Sequence, residues 1–138
     1  MAQTDHLNLQ PTRAEPEAGY ELLALLQDEE SYRPMLEALD ELAPGFPDWI
    51  VTSLFGGTYQ RPGLELRDRQ LLNLGALAAI GGVEPQLRGH ITTSLRIQMS
   101  LKEIVECFVH LAPYIGVPRA LAALRVTADV VRESGGTP

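Results

Sequence analysis

An all-α fold, a compact bundle of about six to seven helices, is what this sequence predicts. Three observations carry the prediction. Apolar residues recur at helical spacing in one segment after another, proline and glycine pairs separate those segments, and no stretch alternates as a strand does. The 138 residues, 45% apolar and 21% charged, suit one domain with a modest core.

The polar stretch from Met1 to Pro16, broken by Pro11 and Pro16, reads as a flexible arm over residues 1–16, ahead of a helical domain over 17–134. Helical spacing runs from Leu22 to Leu26 and from Met35 to Leu42, and Ala43-Pro44-Gly45 closes this pair. A third helix follows Pro47 and carries Trp49, Ile50, Leu54 and Phe55 as far as Gly56-Gly57. Phe46, Trp49 and Phe55 are expected in the core or at an interface. Thr58 to Gly63 is a loop holding Tyr59 and Arg61. From Leu66 to Ile80 the pattern is apolar apart from Arg67, Asp68, Arg69, Gln70 and Asn73. That helix is expected to be central and covered on most sides, and Gly81-Gly82 ends it.

The next helix opens at Pro85, a favoured first helical position, with Glu84 complementing the helix dipole. At 100 degrees per residue Val83, Gln86, His90, Ser94 and Ile97 share one side within about 40 degrees, so His90 is expected to point inward. Ser100-Leu101-Lys102-Glu103 has the form of a capping box before Ile104, Cys107, Phe108 and Leu111. Pro113 falls late in that helix, where it removes a hydrogen bond to Val109. A last helix spans Pro118 to Arg132, and Gly135-Gly136 frees a tail over 135–138.

A net charge of −7 disfavours nucleic acid and anionic membrane as partners. Lys102 is the single lysine among 11 basic residues, and guanidinium forks suit carboxylate ligands. One cysteine, Cys107, excludes an internal disulfide or a thiol metal cluster and fits a reducing cytoplasm. Met1 to Gln10 lacks an apolar signal core, and no apolar run reaches the length of a membrane span.

RPGLELRDRQLLNLGALAAIGG, then PQLRGH, then SLKEIVECFVHLAPYIGVPRA, in that order and with those gaps, resemble the carboxymuconolactone decarboxylase family over roughly residues 45–130. The resemblance implies an alkylhydroperoxidase D-like helical fold and a homo-oligomer, a trimer or hexamer. Thiol peroxidases of the wider superfamily place a Cys-x-x-Cys pair before the same histidine; here those positions are Val83 and Gln86, so the thiolate nucleophile is missing.

For the decarboxylase branch the resemblance implies a small carboxylated lactone as substrate. It implies no cofactor and no metal, because the lactone ring itself takes up the electrons released with carbon dioxide. His90 is then the catalytic proton donor, Arg61 or Arg69 holds the carboxylate or the developing oxyanion, and Tyr59 and Gln86 supply hydrogen bonds. Each residue also has a structural explanation. Arg69 can be tied to Asp48 or a glutamate, Arg61 can cap a helix, and His110, on one side of its helix with Glu103, Cys107 and Tyr114, suits packing better than a site.

The chain departs from the family pattern at Gly57, Tyr59, Gln86 and Gln98, around the expected pocket. Two alternatives therefore stand beside the decarboxylase. One is an acid–base enzyme on the same scaffold acting on another enolisable small molecule, as isomerase, cyclase or decarboxylase. The other is a non-catalytic binding protein in which His90 is a core group.

Overall fold

The computed structural model describes residues 13–136, and all regular structure among them is helical. Seven α-helices follow one another: α1 (Pro16–Leu26), α2 (Glu29–Leu42), α3 (Phe46–Ile50), α4 (Leu66–Ile80), α5 (Glu84–Arg96), α6 (Leu101–Ile115) and α7 (Val117–Glu133). A π-helical turn, Val51–Phe55, continues α3, and a single 3-10 turn covers Thr58–Gln60. Of the expected arm and tail, residues 1–12 and 137–138 lie outside the described residues, and Pro16 already opens α1. The chain divides between Glu65 and Leu66 into two compact units. Among the described residues no helix is long and apolar enough to cross a membrane.

In the first unit, α1 lies against the π-helical turn because two glycines let the backbones touch. A Cβ on Gly19 would stand 2.5 Å from the Val51 carbonyl oxygen, and one on Gly56 would stand 2.4 Å from that of Glu15. The Glu15 amide donates to Gly56 O at 2.8 Å across this approach, and the Gly56 amide reaches back five residues to Val51 O at 2.9 Å. The third helix expected as one element is thus α-helical and then π-helical. Leu23, Leu26, Val51 and Phe55 are buried around the contact. Tyr20 Oη donates to Asp48 Oδ1 at 2.7 Å, and the carboxylate beside it pushes the phenol up to about 12. Phe46 and Trp49 stack on each other at 5.9 Å but stay 44% and 62% exposed, so of the three aromatic residues only Phe55 joins the core.

The second unit holds a separate core. Leu74 and Ala78 of α4, Leu87 and Ile91 of α5, Ile104 and Phe108 of α6, and Ala123, Val126 and Val130 of α7 form one buried cluster. Each helix contributes residues three or four apart, which is the stripe a helix needs to bury one side.

The expectation that α4 is covered on most sides needs correction. Its buried line is Gln70, Leu74 and Ala78, whereas Leu72 and Ile80 are 60% and 64% exposed. A helix that is apolar all round carries no periodic signal to tell which side its own chain covers.

Helix ends follow the sequence closely. Gln98 closes the α5–α6 turn at φ 71, the left-handed conformation a glycine would take more readily. Ser100 Oγ accepts from the Glu103 amide at 3.1 Å, and Glu103 Oε2 accepts from the Ser100 amide at 2.8 Å, so the capping box is formed. α6 runs through Pro113 to Ile115. Ser100→Ala should cost about 1 kcal/mol, read as a lower denaturant midpoint with an unchanged slope.

Candidate active site

His90 sits in the middle of α5, and its neighbours on that helix decide how deep it lies. Leu87, Ile91 and Ser94 take the core side. His90 stands at the edge of that stripe and is half-buried. The expected inward line of Val83, Gln86, His90, Ser94 and Ile97 is therefore only partly inward: Ser94 is buried, Val83 and Ile97 are half-buried, and Gln86, in the first turn, is exposed. The core direction runs one residue to the side of the line read from the helical wheel.

The ring meets α4. Its Nδ1 lies 2.9 Å from Oε1 of Gln70, a side chain with no exposed surface. Burial pushes the imidazole below its ordinary value of 6.5, and no charged side chain contributes to that shift. Burial thus favours the neutral ring, which is hydrogen-bonded at Nδ1. Ser94 Oγ donates to His90 O at 2.7 Å, fixing the backbone one turn on.

Gln70 is the partner that sequence reasoning missed. Residues 70, 74 and 78 form the buried line of α4, so the amide occupies a core position among Leu74 and Ala78. The available signal was a polar residue within a largely apolar helix, a candidate for burial against a hydrogen-bond partner.

Arg69 is half-buried on α4, next in sequence to Gln70, and Gln86 precedes His90 by one turn of α5. Tyr59 and Arg61 belong to the first unit. Tyr59 stacks on Phe55 at 5.2 Å, and Arg61 closes the 3-10 turn, its amide donating to Thr58 O at 3.3 Å. Arg88 pairs with Glu133 of α7, and Arg67 pairs with Glu103 of α6.

A second feature lies between α4 and α6. An open groove of about 740 Å³ is lined by apolar Leu71, Leu72, Gly75, Ala76 and Leu111, with Cys107 and His110 on its α6 side. His110 is exposed and lies 5.7 Å from the Tyr114 ring, and burial pushes the Cys107 thiol up, away from the reactive thiolate. His90 is not among the residues lining this groove.

An all-helical chain that braces a half-buried imidazole against a buried amide is thereby defined. The sequence profile of the carboxymuconolactone decarboxylase family matches residues 44–129, and the chain belongs to that family. It is 31% identical over 109 residues to an uncharacterized 15.0 kDa protein of Paracoccus denitrificans encoded in the nqo9-nqo10 intergenic region, covering 75% of this chain and 81% of that one. It is 28% identical over 120 residues to the 4-carboxymuconolactone decarboxylase of Acinetobacter baylyi, covering 87% of this chain and 89% of that one.

Proposed function

We propose that the protein is a cofactor-free decarboxylase of a small carboxylated lactone, with His90 as its acid–base group. One observation supports this reading above the others: in a chain of this family, the histidine of PQLRGH is half-buried, hydrogen-bonded through Nδ1 to a buried amide, and favoured by burial in its neutral form. In the reaction the bond from the ring carbon to the carboxylate breaks, its electron pair enters the lactone as a dienolate, and carbon dioxide leaves. The dienolate then takes a proton at carbon. An anionic substrate beside the ring raises the proton affinity of Nε2, so His90 takes up a proton with the substrate and returns it to carbon. Arg69 is the guanidinium of the second unit suited to hold the carboxylate, and exposed Gln86 supplies a hydrogen bond on the His90 side of α5.

Self-association, the trimer or hexamer that the resemblance implies, belongs to the same reading, and the exposed apolar side chains of α4 support it. A second reading, an acid–base enzyme acting on another enolisable molecule, gains from the neutral resting ring, which is a base before it is an acid.

One experiment separates them. Incubated with 4-carboxymuconolactone in deuterated water, the protein should release carbon dioxide and leave one deuterium on the product carbon. Failure to release carbon dioxide at high protein concentration would remove the decarboxylase. Solvent deuterium entering enolisable lactones without carbon dioxide release would establish the second reading.

A further inference from the structure

We propose that Gln70 is a positioning residue that holds neutral His90 in one tautomer, with the proton on Nδ1 and the lone pair on Nε2. The proposal rests on the reading of His90 as the acid–base group and adds the group that sets which way the ring works.

The geometry begins with where the amide sits. Gln70 has no exposed surface and shares the core line of α4 with Leu74 and Ala78. Its Oε1 lies 2.9 Å from His90 Nδ1, whereas its Nε2 is buried without a hydrogen-bond partner among the described residues. An amide with one buried, unsatisfied end costs stability that leucine or methionine at the same place would not. The hydrogen bond to the ring is what the amide gains for that cost.

A carbonyl oxygen has no proton to give, so Nδ1 must be the donor in this contact. Once Nδ1 carries the proton, neutral imidazole has its lone pair on Nε2. Left to itself in water, a histidine ring favours the opposite form, with the proton on Nε2. The brace therefore reverses the ordinary preference and leaves the basic lone pair on Nε2.

An amide also does something a carboxylate would not. A carboxylate at this distance would stabilise the imidazolium and raise its proton affinity, whereas the uncharged Gln70 orients the ring and leaves it neutral. Arg69 precedes Gln70 on α4, and Arg88 on α5 is paired with Glu133 of α7; the lowering at His90 comes from burial. His90 therefore starts each cycle as an acceptor, and whatever proton it delivers it has first collected.

Nitrogen-15 NMR of the substrate-free protein reads this without any activity, because protonated and unprotonated ring nitrogens resonate far apart. In the unaltered protein above the His90 pKa, Nδ1 should carry the proton. Gln70→Met, which keeps the volume and removes the acceptor, should move the tautomer ratio toward Nε2–H by roughly tenfold, the effect of one buried neutral hydrogen bond. Gln70→Glu should instead raise the His90 pKa by about one unit, as a carboxylate partner does. A proton found on Nε2 in the unaltered protein overturns the proposal, since the amide would then be donating rather than accepting. So does an unchanged ratio in Gln70→Met, or, should that variant fail to fold, an unchanged His90 pKa in Gln70→Glu. Failure of the decarboxylation assay alone touches the substrate and leaves the tautomer assignment standing.

Discussion

His90→Ala is expected to lower turnover by about 10²- to 10⁴-fold, the range that a positioned acid–base group contributes, while the helical circular-dichroism signal persists. Loss of the ring leaves the Gln70 amide without its partner, so the variant should also unfold somewhat earlier in denaturant. The two effects differ in size, and a binding protein with a merely structural histidine would show only the second. Full turnover in His90→Ala would remove the residue from the mechanism.

The pH profile gives the sign. Burial lowers the pKa of folded His90 below 6.5, so between that lowered value and 6.5 the unfolded chain binds more protons than the folded one. Stability contributed by the neutral ring is thus complete above 6.5 and is lost as pH falls through that window. If turnover requires the protonated ring, kcat/KM of the free protein should rise as pH falls toward the same window. If the ring acts first as a base, kcat/KM should instead fall there and level off above it. One titration of rate against pH therefore separates the two readings proposed for the site.

Helix boundaries were largely legible in the sequence because the residues that set them act locally. Gly81-Gly82 stops α4, the Ser100 and Glu103 pair starts α6, and Gln98 adopts the left-handed turn that its place between α5 and α6 demands. The π-helical turn at Val51–Phe55 was not legible. It depends on Gly19 and Gly56 admitting a close backbone approach from residues more than thirty positions apart in sequence.

The site was half legible. His90 stood out by residue type and by its family motif, but the helical wheel put Gln86 on the buried side, and the structure leaves it exposed. A wheel assigns relative directions on a helix without saying which of them the packing partners cover, and the core side of α5 passes through Leu87, one residue from Gln86. Gln70 shows the complementary limit. Its burial shows only in the fold, where 70, 74 and 78 form the buried line of α4, and nothing in the sequence says which ring its amide meets on α5.

The largest loss of stability is expected from Phe108→Ala. Phe108 has no exposed surface and lies within the cluster formed by Leu74, Ile91, Ile104, Ala123 and Val126, so all four helices of the second unit meet around it. Removing the ring takes away its transfer free energy and leaves a cavity that helices packed from several sides cannot close, a cost of about 3–5 kcal/mol. Against a total of roughly 5–15 kcal/mol for a domain, that is enough to lower the melting temperature by about 10 °C or more. Phe46→Ala is the matched control, because that ring is 44% exposed and stacks on the exposed Trp49, and it should cost within about 1 kcal/mol. Equal melting temperatures for the two variants would mean that the second unit is not held by this core. His90 stands at the edge of the Leu87 and Ile91 stripe, so the same loss should loosen α5 against α4 and weaken the contact to Gln70. Phe108→Leu, which keeps most of the volume, should retain more of both stability and turnover than Phe108→Ala.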